Sequence, residues 1–87
     1  MTRQVLLSGS ADKAYSDPPP SVRKRVFEAL SQLAETGRGD AKRLRGTRGR
    51  EDLHRLRIGD YRVVYALSVK EIRVTRILHR SEGYDWL

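Results

Sequence analysis

The stretch of this chain that says most about its fold is residues 53–65, which read Leu53-His-Arg-Leu-Arg-Ile-Gly-Asp-Tyr-Arg-Val-Val-Tyr65. Apolar and polar residues alternate on both sides of Gly59-Asp60, and a glycine-aspartate pair between two such runs is typical of a two-residue β-hairpin turn. The turn also sets the register of the two strands. It predicts four cross-strand pairs: Ile58 with Tyr61, Arg57 with Arg62, Leu56 with Val63, and Arg55 with Val64.

A weaker turn at Val69-Lys70 predicts a further antiparallel strand over residues 72–79. This turn pairs Leu67 with Ile72, Ala66 with Arg73 and Arg62 with Ile77. Cross-strand partners share a side of the sheet, so two faces separate. The face expected to be buried carries Leu56, Ile58, Tyr61, Val63, Tyr65, Leu67, Ile72, Val74 and Leu78, with Arg76 as its one misfit. The other face carries Arg55, Arg57, Arg62, Arg73, Thr75 and His79, over a small apolar floor of Val64, Ala66 and Ile77.

Upstream of the hairpin, the pattern predicts one strand and two helices. Val5-Leu6-Leu7 is the predicted strand, Ser10 the predicted N-cap of a helix over residues 11–16, and the prolines at 18–20 end that helix. From Ser21 to a C-terminal cap at Gly37, apolar residues recur at helical spacing. Leu44 is read as an isolated anchor between two loops, at residues 37–40 and 46–49. The order β-α-α-β-β-β predicts an α+β domain whose antiparallel sheet is covered by helices on one face.

Composition limits the classes of protein. With 87 residues and 38% hydrophobic content, we expect one domain over residues 1–87. The absence of cysteine excludes a disulfide framework, a cysteine-ligated metal site and a thiol nucleophile. The first ten residues contain only a short apolar run, so we expect a cytoplasmic protein with no membrane contact.

The charge of the chain predicts a polyanionic partner. The net charge is +7, and residues 38–62 hold nine basic residues against four acidic ones. Arginine, the commoner basic residue, can grip a phosphate with two parallel hydrogen bonds. The residues expected to contact nucleic acid are Lys42, Arg43, Arg45, Arg48, Arg50 and Arg73.

Arg57 directly opposite Arg62, with Arg55 two residues away, is an unfavourable arrangement. Like charges across a strand pair cost up to about 1 kcal/mol. One interpretation is a cradle for a phosphodiester, because preorganised positive charge stabilises the transition state of phosphoryl transfer. The other interpretation is a solvated polar face, and the pattern leaves both open.

His79 is the residue on the predicted arginine face that can exchange a proton near neutral pH. A hydrogen-bonded residue at a strand end is the alternative role. His54 is predicted on the opposite face, so the two histidines are not expected to share a metal ion. We expect neither a metal site nor a small-molecule cofactor.

Three parts of the sequence resemble the RelE/ParE superfamily of bacterial type II toxins. They are Lys42-Arg-Leu-Arg-Gly46, the stretch 53–65, and Ile77-Leu-His-Arg80 followed by Tyr84. The resemblance covers about residues 42–84, and Arg57-Ile-Gly-Asp-Tyr-Arg-Val-Val-Tyr65 is its most specific part. It implies a microdomain with a small curved antiparallel sheet packed on a helical hairpin, and a cognate antitoxin that neutralises it.

RelE-like members of this superfamily are ribosome-dependent ribonucleases that cut mRNA. Their functional positions fall on Arg55 and Arg57 before the hairpin, on Arg62 after it, and on Arg80 and Tyr84 near the end. Lysines are typical where this chain has Arg55 and Arg57, and an arginine cannot release a proton as a lysine can. We therefore expect His79 to complete the catalytic set as the base.

The resemblance also leaves an alternative. ParE-like members share the fold and the Gly-Asp-Tyr-Arg hairpin but poison DNA gyrase, without a full catalytic set. The presence of Arg80 and Tyr84 favours metal-independent RNA cleavage by the 2′-hydroxyl, with ribosome and mRNA as partners. A binding module or an inactive relative is the third possibility.

Overall fold

The chain forms two helices and five strands within residues 2–44 and 53–82, which are the residues described by the computed structural model. The elements are β1 (Gln4–Leu7), α1 (Gly9–Ser16), α2 (Pro20–Thr36), β2 (Ala41–Arg43), β3 (Leu53–Ile58), β4 (Tyr61–Leu67) and β5 (Glu71–His79), followed by a 3-10 turn (Arg80–Glu82). The sheet has the strand order β1-β5-β4-β3-β2. The predicted α+β class is confirmed.

The sheet differs from the prediction in two ways. β1 pairs with β5 in parallel, so the sheet is mixed and not wholly antiparallel. Such a pairing needs a crossover connection, and here the chain passes through both helices and three strands before it returns. The sequence predicts no strand around Lys42, but Ala41–Arg43 form the additional strand β2, which pairs with β3. All three residues of β2 are exposed, so no apolar alternation marks this strand in the sequence.

The helices begin and end close to their predicted positions. The N-cap of α1 is Ser8 and not Ser10, because the Ser8 hydroxyl oxygen accepts a hydrogen bond of 3.1 Å from the Ala11 N–H. α2 has a proline in its first turn and ends at Gly37, whose φ of +73° is left-handed. The predicted apolar stripe of α2 lies in the core, with Val26, Leu30, Leu33 and Ala34 buried and Val22 and Ala29 packed against them.

The hairpin register is confirmed, but β5 contains a bulge. Arg57 pairs with Arg62 and Arg55 with Val64, as the turn predicts. Between β4 and β5 the register shifts next to Tyr65: Tyr65 pairs with Val74, whereas Val64 pairs with Arg76. Thr75 is thus an extra residue in β5, and its hydroxyl donates to the Val64 carbonyl oxygen at 3.3 Å.

From Arg76 onward, the bulge places each side chain of β5 on the sheet face opposite to the one predicted for a regular strand. The predicted pairing of Arg62 with Ile77 is wrong, because Arg62 faces Leu78 and Ile77 faces Val63. Ile77 is 8% exposed and belongs to the core, where the prediction placed Leu78. Arg76, the predicted misfit of the apolar face, lies on the opposite face. One inserted residue therefore removes a charge from the core and puts an isoleucine in its place.

Both helices cover the same face of the sheet. The main core joins residues of α1 and α2 to alternate residues of β3, β4 and β5, with Tyr65 as its largest fully buried side chain. Val64 and Ala66 are also buried although they lie on the other face, so this part of the predicted apolar floor is confirmed. In the described part of the chain, neither helix is long and apolar enough to cross a membrane.

The bulge predicts different costs for truncating two neighbouring residues. Ile77→Ala should lower the free energy of unfolding by about 2–4 kcal/mol, because it removes buried atoms and leaves a cavity. Leu78→Ala should cost about 1 kcal/mol or less, since Leu78 lies outside the core. Urea denaturation followed by circular dichroism measures both. A larger loss in the Leu78 variant would mean that β5 is regular.

Candidate nucleic-acid interface

The sheet face away from the helices carries six basic residues that we call the basic face: Lys42, Arg55, Arg57, Arg62, Arg73 and Arg76. They come from four strands, and the pairing aligns them in rows. Lys42, Arg55 and Arg76 share one row, in which Val64 lies between the two arginines. Arg57 and Arg62 are direct neighbours in the next row. Because adjacent strands are about 4.8 Å apart, these side chains rise from a patch comparable in size to a few nucleotides.

Asp40 is the acidic partner of this face. Its carbonyl oxygen accepts the backbone N–H of Arg57 at 3.0 Å, and its Oδ2 accepts Nε–H of Arg57 at 2.7 Å. Nη1 of Arg55 lies 3.4 Å from the same carbonyl oxygen and 3.9 Å from Oδ1. The Arg55 side chain is only 18% exposed, whereas that of Arg57 is 56% exposed. One carboxylate thus partly neutralises two of the predicted catalytic arginines.

The loop that carries Asp40 is held against the core by Gly39. This residue has a φ of +155°, and a methyl group on its Cα would lie 2.9 Å from Cδ1 of Leu56. Leu56 is almost completely buried. The close approach of the loop to this side chain places Asp40 at the end of the row formed by Arg57 and Arg62.

Arg62 is less open to solvent than the sequence suggested. Its Nη1 donates to the carbonyl oxygens of Gly59 at 2.8 Å and Tyr61 at 2.9 Å, so the guanidinium closes the hairpin turn. The side chain therefore supports the turn and can contribute charge to the basic face.

Arg80 is fixed to the opposite end of the same turn. Its backbone N–H donates to the Asp60 carbonyl oxygen at 2.7 Å, and its Nε lies 3.6 Å from Oδ1 of Asp60. Both side chains are exposed. An aspartate thus contacts a predicted catalytic arginine through both its backbone and its carboxylate, as Asp40 contacts Arg57.

The expected place of His79 on the arginine face is wrong. The bulge pairs His79 with Tyr61, and the two rings meet edge to face with centroids 5.3 Å apart, on the helix side of the sheet. Nδ1 of His79 lies 2.9 Å from the Ser81 hydroxyl oxygen. His79 therefore lies near Arg80 at the strand end and does not share a face with Arg57 and Arg62.

His54 lies on the helix side of the sheet as predicted, stacked on Tyr65 with ring centroids 5.4 Å apart. The two histidines are therefore on the same side of the sheet, contrary to the prediction. Their partners on β4 are four residues apart, or about 13 Å along the strand, so they still do not converge. No cluster of three metal-ligating side chains occurs in the part of the chain that the structure describes.

Five further residues were predicted to contact RNA or to act in catalysis, and none of them is placed on the basic face. Arg43 pairs with His54 and therefore lies on the side opposite Lys42 and Arg55. Four residues lie outside the described residues: Arg45, Arg48, Arg50 and Tyr84.

Sequence reasoning missed two members of the site, Arg76 and Asp40. Arg76 was detectable, because a regular strand puts Arg76 into the core and Ile77 outside it, and a bulge resolves both conflicts at once. Asp40 carried no comparable signal, since nothing local indicates that it pairs with a strand far along the chain.

An apolar groove lies on the helix side, at the β1 edge of the sheet. It has a volume of about 210 Å³ and is lined by Val5, Leu7, Tyr15, Phe27, Leu30 and Ser31. Phe27 is 62% exposed although it is a large hydrophobic residue. An apolar groove with such a residue on its wall is typical of a protein-binding surface.

Comparison with known proteins identifies the family. Residues 10–84 match the family model described as the ParE toxin of type II toxin–antitoxin systems. No curated protein sequence matches the chain. The archaeal RelE–RelB complex from Pyrococcus horikoshii OT3 contains a chain that is 30% identical, with a TM-score of 0.77, over 95% of this chain and 100% of that one.

Two bacterial structures show the same fold. In the RelBE toxin–antitoxin complex from E. coli, identity is 25% and the TM-score 0.68, over 86% of this chain and 93% of that one. The YoeB dimer from Staphylococcus aureus is 17% identical with a TM-score of 0.75, over 97% and 100% of the two chains. The mixed sheet, the helical hairpin and the basic face described above therefore belong to a ParE-family member of the RelE/ParE superfamily, a toxin of a type II toxin–antitoxin system.

Proposed function

We propose that this toxin is a ribosome-dependent endoribonuclease that cuts mRNA in the cytoplasm and so inhibits translation. The observation that carries the proposal is the basic face, where Arg57 and Arg62 are adjacent and Arg55 and Arg76 occupy the next row. A solvated surface would gain nothing from placing like charges side by side on a rigid sheet. A phosphodiester would bind there through several guanidinium groups at once.

In the proposed chemical step, the nucleophile and the leaving group both belong to the mRNA, and the protein supplies side chains. The 2′-hydroxyl of one nucleotide loses its proton and attacks the adjacent phosphorus atom. The bond to the 5′-oxygen then breaks, that oxygen takes up a proton, and a 2′,3′-cyclic phosphate remains. Arg55, Arg57 and Arg62 hold the phosphate and stabilise the additional negative charge of the transition state.

Three further residues have proposed roles. His79 accepts the proton of the 2′-hydroxyl, Arg80 stabilises the leaving oxygen, and Tyr84 stacks on or orients a base. Because His79 lies against Tyr61 on the helix side of the sheet, it can reach the 2′-hydroxyl only if the reacting phosphate binds at the strand end, between Arg62 and Arg80. Undiminished cleavage by a His79→Ala variant would remove histidine from this mechanism.

Arg57→Ala should slow mRNA cleavage about 10²–10³-fold, because one donor to the developing charge is lost. Its folding should be unaffected, since the side chain is exposed and contacts an exposed carboxylate. Single-turnover cleavage on programmed ribosomes measures the rate, and thermal unfolding checks the fold. We prefer this variant to Arg62→Ala, which also loses the two hydrogen bonds that close the hairpin turn.

Lys13→Ala is the matched control, since it removes one positive charge from an exposed position of helix α1. It should cleave at the wild-type rate. If the Arg57 and Lys13 variants cleaved equally well, the arginines would not form a catalytic cradle.

A gyrase poison is the alternative function, and the ParE description of the matching family model favours it. The two functions differ in their products. Mapping RNA and DNA ends after a short induction separates them, because a ribonuclease leaves cuts within translated codons and a gyrase poison leaves double-strand breaks in DNA.

Asp40→Asn should bind RNA more tightly than the wild-type protein. The substitution removes a negative charge that lies 2.7 Å from Nε of Arg57, beside the proposed phosphate site. A unit charge at a few ångströms in water is worth about 1 kcal/mol, or about fivefold in Kd. Fluorescence anisotropy with a labelled RNA oligonucleotide measures the affinity. Asp17→Asn, at the exposed end of α1, is the control, and equal affinities in the two variants would contradict a phosphate site beside Asp40.

The cognate antitoxin is the proposed protein partner, as it is for the RelE chains solved in complex with RelB. The apolar groove between α2 and β1 suits an amphipathic helix, whose apolar face would cover Phe27 and Leu7. The net charge of +7 favours a partner with acidic residues beside that apolar face.

Phe27→Asp should abolish neutralisation by the antitoxin while leaving the toxin active. A charge in the groove would be buried without a partner in the complex, whereas Phe27 is already exposed in the free toxin. Growth of cells that express both proteins measures neutralisation. Val69→Asp changes another exposed hydrophobic residue that does not line the groove, and it should remain neutralised. Full neutralisation of the Phe27 variant would place the antitoxin elsewhere.

A further inference from the structure

The side chain of Arg25 crosses from α2 to the turn between β3 and β4. The Arg25 guanidinium lies against Gly59. A methyl group on the Gly59 Cα would be 3.0 Å from Nη2 and 3.2 Å from Nη1 of Arg25. Gly59 also has a φ of +57°, so the turn itself favours glycine. The glycine therefore permits both the turn and the close approach of a guanidinium from a helix.

Arg25 differs from the other two arginines at this turn because no acceptor among the described residues contacts its guanidinium. Arg62 donates to the carbonyl oxygens of Gly59 and Tyr61, and Arg80 contacts Asp60. Within residues 2–44 and 53–82, the Arg25 guanidinium makes no hydrogen bond or ion pair. The fold thus brings three guanidinium groups to a turn that supplies one carboxylate.

We propose that Arg25 binds a backbone phosphate of RNA at the tip of the hairpin. No described residue uses any of the five N–H donors of this exposed guanidinium, and its planar geometry suits two parallel bonds to a phosphate. Arg62 connects the tip to the basic face, since it contacts the turn and pairs with Arg57. One RNA strand therefore contacts both surfaces. The choice of RNA rests on the proposed function.

This phosphate is not the one that reacts, and that distinguishes Arg25 from the catalytic arginines. A contact with a distant phosphate stabilises the bound substrate and the transition state equally. Loss of the Arg25 side chain should therefore raise KM and leave kcat unchanged.

The test is a titration of a fluorescein-labelled single-stranded RNA at several salt concentrations. Arg25→Ala should weaken binding about three- to tenfold and reduce the slope of log K against log salt by about 0.7, the contribution of one phosphate contact. Lys24→Ala, which removes the same charge from the next exposed residue of α2, should change neither quantity. Arg25→Lys should retain the slope, because the charge remains.

Equal affinities and slopes for the Arg25 and Lys24 variants would overturn the assignment of Arg25. If wild-type protein cuts no mRNA but the Arg25 variant still loses affinity and slope, the proposed ribonuclease function fails and the phosphate site stands. If cleavage assays on ribosomes show a lower kcat for Arg25→Ala at unchanged KM, Arg25 acts in the chemical step and our assignment is wrong.

Discussion

The extra residue at Thr75 is the constraint on which the rest of the structure depends. Strand β5 is an interior strand of the sheet, because it pairs with β4 on one side and with β1 on the other. A regular β5 would bury Arg76 and expose Ile77, at a cost of several kcal/mol for an unpaired buried charge. The bulge avoids this cost and at the same time places a basic residue in the row of Arg55. Stability of the core and charge on the opposite face therefore have the same origin.

Two aspartates moderate the repulsion that this charge creates. Asp40 contacts Arg57 through its carbonyl and carboxylate oxygens, and Asp60 contacts Arg80 in the same way. The unfavourable pairing of Arg57 with Arg62 is thus partly offset within the protein. Both carboxylates lie at the ends of the arginine cluster, so a phosphate can approach the centre of the basic face without meeting them.

Local patterns in the sequence predicted local structure well. The Gly59-Asp60 turn gave the register of β3 and β4, and apolar spacing gave the buried side of α2, because each signal lies within a few residues of the structure it controls. The failures concern relations between distant segments. Nothing near Lys42 marks β2 as a strand, nothing near Val5 indicates a parallel partner, and the contact between Arg25 and Gly59 exists only after α2 packs on the sheet. The bulge at Thr75 lies between these cases. The alternation of a regular strand would bury Arg76 and expose Ile77, which indicates an irregularity but not where the extra residue lies.

The two faces of the sheet separate the proposed partners. The apolar groove lies at the β1 edge on the helix side, whereas Arg57 and Arg62 lie on the other side, two to three strands away. At about 4.8 Å for each strand spacing and about 10 Å between layers, a helix in the groove cannot also cover these arginines. An antitoxin that neutralises the basic face must therefore extend a second segment around the β1 edge, and about six to eight extended residues span that path. Inhibition through the groove alone would instead require that the bound antitoxin block access to the ribosome by its bulk.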